Sequence, residues 1–208
     1  MTRRCSARSS SRPMTFRVGK TELTVRFGFF AVLAVVLCLD GGAHALPAVL
    51  ACAVHEGGHM LAARLCGMRI EAVRFGALGI QMVGDARPLS HLRRAVVSLA
   101  GPLANLLFFA LLLPMPRAYS AVQLLLFLFH ILPAVPLDGG MALYSLLCSA
   151  AEERRAGRIC TAVSVLLAFL LGTLGFSVLL RTQYNFTLLL LALYILLYLV
   201  LKRRESLC

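Results

Sequence analysis

Long apolar runs separated by short basic segments constrain this chain more than any other feature. Six such runs fall at roughly 27–39, 46–65, 95–113, 119–137, 159–180 and 186–201. A helix needs ~20 apolar residues to cross the hydrocarbon core, with a usual range of ~17–25. The first and last runs are short by that measure. Of 208 residues, 60% are hydrophobic and only 14% are charged, too few to cover a water-soluble domain of this size. The expected fold is an all-α polytopic membrane protein with about six transmembrane helices.

The net charge of +12 does not point to nucleic acid, because the cations are distributed as a topology signal. Nineteen of the 21 basic residues fall in the N-terminal segment, the second and fourth loops, and the tail. Only Arg117 and Arg181 fall in the other loops. With six spans, the rich segments share one side, which the positive-inside rule makes the cytoplasm, together with both termini. Residues 1–14 read as a disordered basic tail, 15–201 as one transmembrane domain, and 202–208 as a basic cytoplasmic tail. The start of the chain does not read as a signal peptide. Alternation of Phe16, Val18, Leu23, Val25 and Phe27 marks a short strand or interfacial segment. Seven cysteines, an odd number with no Cys-x-x-Cys pair, fit small hydrophobic roles rather than a disulfide framework or a thiolate metal site.

Of the nine acidic residues, only Glu56 and Asp138 lie within or at the end of an apolar run, apart from Asp40 closing the first. A carboxylate at bilayer depth costs at least ~2.5–3.5 kcal/mol, so its default reading is functional. Glu56 belongs to His55-Glu56-Gly57-Gly58-His59. On a helix His55 and His59 share a face and can bind one metal ion, with Glu56 placed as general base for a water there. Such a site needs a third protein ligand, and Asp138 is the candidate. It follows Leu132-Pro133-Ala134-Val135-Pro136-Leu137 and precedes Gly139-Gly140. Two prolines interrupt a regular helix, and the glycines permit tight turns. The competing reading makes Asp138 a cap for the next helix. Run direction places all three ligands in the cytoplasmic half of their spans, at similar depth. Asp40 and His44 read as an external turn, and His91 as a solvated loop residue.

At these residues the chain resembles the site-2 protease family of intramembrane zinc metalloproteases. His55 to His59 is close to the family's HExxH. Leu132 to Gly140 is close to its Pro-rich Asp-Gly motif, and Ser98 to Asn105 (SLAGPLAN) is similar to its Gly-Pro-x-x-Asn helix. The resemblance covers roughly residues 15–148. It implies one zinc ion held by His55, His59 and Asp138, with Glu56 as catalytic base. It also implies a membrane-associated β-hairpin over Ile70–Val83, between the second and third spans, whose edge accepts a substrate strand. The short six-span form is most similar to the sporulation branch, which implies a bacterial cell membrane and a sigma-factor precursor or other regulatory protein as substrate. The family usually has Asn where this chain has His130. That residue has three readings: a hydrogen-bonding group toward substrate or water, a satisfied polar residue, or an extra ligand. Asn105 reads as a helix-packing residue, with Pro133 and Gly139 as supporting residues of the substrate loop.

The partners expected are a membrane-associated protein substrate, the lipid bilayer and a membrane inhibitor or regulator, with no nucleic acid. The alternative function is a non-catalytic membrane scaffold or substrate-binding protein of the same fold. A transporter would spread ionisable residues over several spans, whereas here they concentrate on two.

Overall fold

The computed structural model describes residues 14–18, 21–25, 45–68, 70–76, 79–84 and 89–205. The basic segment before Met14, the first apolar run, the turn with Asp40 and His44, and the last three residues of the tail lie outside the described residues. The described chain falls into two compact units, a sheet and a helical bundle.

Strands β1 (Met14–Val18), β2 (Thr21–Val25), β3 (Ile70–Gly76) and β4 (Gly79–Gly84) lie in chain order in one sheet. β1 and β2 pair antiparallel, β2 and β3 parallel with Leu23 opposite Val73, and β3 and β4 antiparallel with Arg74 opposite Gln81. The chain is therefore mostly helical, with a four-stranded sheet in addition to its helices. Segments too short for a helical stripe pair edge to edge instead, and β1 and β2 join β3 and β4 in one sheet.

The bundle consists of α1 (Ala45–Leu65), α2 (His91–Leu111), α3 (Arg117–His130), α4 (Asp138–Ala150), α5 (Glu153–Thr182) and α6 (Thr187–Glu205). His91 opens α2 rather than lying in a loop, with Ser90 as N-cap accepting from the Arg93 amide. Helix α4 occupies residues that the hydropathy pattern leaves as loop. At 13 residues it is too short to register as a span, yet it packs along α2 and α5.

Helices α2 and α5 are long and apolar enough to cross a membrane; the apolar part of α6, Thr187–Leu201, is shorter. Only 22% of the apolar window in α2 and 17% of that in α5 is covered by the rest of the protein. A core helix of a soluble protein would be mostly covered, whereas Leu166, Phe169 and Leu170 stand exposed on α5. Such faces require an apolar medium.

Between α3 and α4 the chain breaks for seven residues, Ile131 to Leu137. Much of the break is buried: Ala134 and Leu137 share a core with Ala168 of α5 and Ile195 of α6, while Pro133 stays exposed. Non-helical backbone survives in such a place only if its polar groups are satisfied. Every amide N–H of the break has a partner. Ile131, Leu132, Ala134 and Leu137 donate to nearby carbonyls, and Val135 donates to Ser164 Oγ at 3.0 Å. The two remaining residues are Pro133 and Pro136, which have no N–H to satisfy.

The glycines that follow are needed for a different reason from turn formation. Among the described residues the positive-φ glycine is Gly67, and both Gly139 and Gly140 are helical. A Cβ at Gly139 would strike the Ile131 carbonyl, and one at Gly140 would strike the Ala134 carbonyl carbon. The absence of side chains lets α4 fold back onto the break.

The same steric logic gives a matched test one helical turn apart in α5. A Cβ at Gly175 would lie 2.8 Å from the Leu189 amide nitrogen, whereas at Gly172 its nearest neighbour is Ala192 Cβ at 3.8 Å. Gly175→Ala is expected to destabilise the protein by about 1–3 kcal/mol. Gly172→Ala should leave it unchanged or stabilise it by up to ~1 kcal/mol. Thermal unfolding of the detergent-purified protein reads both.

Candidate metal centre

The site is assembled on one face of α2. Val97, Gly101 and Asn105 follow one another at intervals of four and therefore stack along that face. Each does a different job for α1. The Val97 carbonyl accepts from His59 Nδ1 at 2.7 Å. Gly101 leaves room for the His59 ring, which any Cβ there would strike. Asn105, fully buried, accepts through Oδ1 from His55 Nδ1 at 2.6 Å. The close approach of the helices is set by Gly58, where a Cβ would lie 2.6 Å from the Ala100 carbonyl oxygen and 2.8 Å from Ala104 Cβ.

These contacts determine which ring nitrogens carry protons. The Val97 carbonyl can only accept, so His59 Nδ1 is the protonated nitrogen. The amide of Asn105 is oriented by its other end, where Nδ2 donates to Ala51 O at 3.0 Å and to Gln123 Oε1 at 2.6 Å. Its Oδ1 therefore faces His55, and His55 Nδ1 must donate. In the neutral rings both Nε2 atoms are left as bare lone pairs.

The lone pairs converge. His55 Nε2 and His59 Nε2 are 3.1 Å apart, and Asp138 Oδ2 lies 3.0 Å from the first and 3.4 Å from the second. His55 and His59 are buried, and the Asp138 side chain is 22% exposed. Three acceptors this close, with no proton available from either neutral ring, repel unless a cation lies between them. Bonds of ~2.0–2.1 Å in tetrahedral geometry place ligand atoms about 3.3 Å apart, which matches the triangle. The donor set fits a single divalent ion, and these residues are the group that could hold one among the described residues.

The remaining residues named from the sequence fall as follows. Asp138 is the first residue of α4, preceded by Leu137 as N-cap without a side-chain capping bond. It does not cap its own helix; its carboxylate turns to the histidines. His130, the last residue of α3, directs Nδ1 to the same Asp138 oxygen at 2.7 Å, and its ring centroid is 4.2 Å from that of His55. It stands outside the three-ligand group. Glu56, half-buried, lies within electrostatic reach of His55, His59, His130 and Asp138. Pro133 is exposed in the break, and Gly139 is buried against its backbone.

Two participants escape a reading of the sequence. Gln123 of α3, buried and bonded to Asn105, is the one amide side chain in its apolar run, and that isolation is the signal that could have found it. Val97 contributes through its carbonyl, which no side-chain pattern reveals.

The same architecture occurs in a solved structure. The chain resembles "Site-2 Protease from Methanocaldococcus jannaschii", with a TM-score of 0.61, 22% identity, and coverage of 89% of this chain and 91% of that one. At that identity the likeness establishes a shared fold. No protein-family model and no curated protein sequence matches the chain.

The geometry predicts a graded series in metal affinity. Asp138→Ala and His55→Ala should each abolish stoichiometric binding of Zn²⁺ to the purified protein. Asn105→Leu removes the acceptor that holds the His55 ring and should weaken binding by about 10–100-fold. Competition against a chromophoric chelator measures all three, and an unchanged affinity in Asn105→Leu would contradict the tautomer argument.

Proposed function

We propose that this protein is an intramembrane zinc metalloprotease, hydrolysing a peptide bond of a membrane-associated protein near the cytoplasmic face. The observation that carries the reading is the convergence of two unprotonated imidazole nitrogens and one carboxylate oxygen, with Glu56 adjacent in sequence to the first of them. The shared site-2 protease fold supports it.

In this reading His55, His59 and Asp138 hold the ion. Zinc, when bound, supplies polarisation of the scissile carbonyl and acidification of water. Glu56 accepts a proton at its carboxylate and later delivers one to the leaving amine. His130 holds the Asp138 carboxylate in place through the hydrogen bond to Oδ2. Asn105 and Val97 keep the two ring nitrogens directed inward. The break before Asp138 gives an extended substrate a place beside the ligands.

The basic segments favour the cytoplasmic side for the site by the positive-inside rule. The substrate class that fits is a regulatory protein tethered to the membrane, of which a sigma-factor precursor is one example. A non-catalytic scaffold of the same fold would have no use for three lone pairs locked toward a cation at the cost of burying them.

Glu56→Gln separates these readings. The variant should bind Zn²⁺ with near wild-type affinity, while proteolysis falls by about 10²–10⁴-fold. Quantitative proteomics of membrane-protein fragments in cells carrying wild type or variant provides the readout. Identical fragment profiles, with wild-type protein expressed and metal-loaded, would favour the scaffold.

A further inference from the structure

A cavity of about 920 Å³, lined by none of the candidate metal ligands, is bounded by α4, α5 and α6. Its wall on α5 carries Arg154, Gly157, Arg158, Thr161 and Val165, at the three- and four-residue spacing of one helix face. Polarity falls steadily along that face, from two guanidiniums through a hydroxyl to an aliphatic side chain. Leu196 and Leu199 of α6 face the apolar end, and Tyr144 of α4 adds a hydroxyl to the lining.

We propose that this cavity binds an anionic glycerophospholipid of the surrounding bilayer, its phosphate at Arg154 and Arg158 and an acyl chain along Val165, Leu196 and Leu199. Three observations select this occupant. First, both arginines are exposed, and neither is paired with a carboxylate among the described residues. Guanidinium forks match phosphate oxygens in bidentate geometry. Second, the eleven-residue rise from Arg154 to Val165 is about 16 Å, close to the ~15 Å hydrocarbon depth of one leaflet. Third, the deep walls are aliphatic. An acidic peptide lying there would leave its amides and carbonyls without partners, whereas an acyl chain has none to satisfy. Charge of this sign at the end of a membrane helix is the arrangement by which basic pockets hold anionic headgroups.

The cavity also touches the break that directs Asp138. Val135 lines it, and the Val135 amide donates to Ser164 Oγ, which in turn donates to the Cys160 carbonyl at 2.7 Å. A bound lipid would therefore brace the backbone three residues ahead of the candidate metal ligand, although the binding itself does not depend on the protease reading.

Native mass spectrometry and fluorescent-lipid titration of the full-length protein in detergent test the proposal. Phosphatidylglycerol should bind more tightly than phosphatidylcholine. The double variant Arg154→Gln/Arg158→Gln should weaken phosphatidylglycerol binding by about 30-fold, roughly fivefold for each guanidinium. Leu199→Trp, which fills the apolar end and leaves both arginines, should weaken it as well. Arg155→Gln, a neighbouring arginine outside the cavity, should bind as wild type does. Wild-type affinity in the double variant would overturn the proposal. So would displacement of the lipid by inorganic phosphate at comparable concentration, which would make this a free-anion site, or tighter binding of an oligoglutamate peptide, which would make it a peptide site.

Discussion

The arrangement depends on the placement of two protons. The His59 Nδ1–H must donate to the Val97 carbonyl, and the His55 Nδ1–H to Asn105 Oδ1. Once both are committed outward, the two Nε2 lone pairs and the Asp138 oxygen face one another at about 3 Å with nothing of opposite charge supplied by the neutral rings. Bringing three acceptors together is costly in an apolar surrounding. The fold accepts that cost in four places. Gly58 brings α1 against α2, Gly101 clears the His59 ring, Gln123 and the Ala51 carbonyl orient Asn105, and His130 restrains Asp138. Without a cation these contacts would hold a repulsive cluster; with one they would form a preorganised binding site.

A second constraint shapes the route by which Asp138 arrives. It must come from a chain break largely buried in the bundle, where an unsatisfied amide costs several kcal/mol. The seven-residue break meets this by hydrogen-bonding each of its N–H groups and placing proline at the two positions that have none. Gly139 and Gly140 then let α4 leave the break in contact with its own backbone. The motif around Asp138 is thus as much a solution for backbone polarity as a ligand signature. The same segment also lines the cavity between α4, α5 and α6, through Val135.

Much of the site is legible in the sequence. His55 and His59 are identifiable because a four-residue spacing on a helix has one geometric outcome. Asp138 is identifiable because a carboxylate in an apolar, proline-broken segment is too costly to keep without a partner. Gly139 and Gly140 stand out in the sequence as turn formers, yet their structural cause is a close backbone approach. Asn105 reads as a packing residue, while its neighbours make it the residue that orients His55. Helix α4 escapes hydropathy because spans are detected by length, and this helix is held by contact with α2 and α5 rather than by crossing a bilayer alone. The alternation of Phe16, Val18, Leu23 and Val25 is visible in the sequence, whereas the 70–84 hairpin is expected only from the family resemblance. The union of all four strands into one sheet joins segments far apart in the chain, as in the pairing of Leu23 with Val73.

Local periodicity and the energetic cost of buried charge are enough to point to membrane-spanning helices and to single out the two histidines, the adjacent glutamate and Asp138 as a candidate site. Those properties depend on residues close in sequence or on a partition cost each residue bears alone. The proton positions on the rings, the part played by Asn105 and Gln123, the partner chosen by His130, and the cavity between α4, α5 and α6 are decided only by tertiary structure. Each depends on which acceptor or wall a distant segment presents. Val97 makes the point most plainly: its contribution is a carbonyl common to every residue, given meaning only by the helix that packs against it.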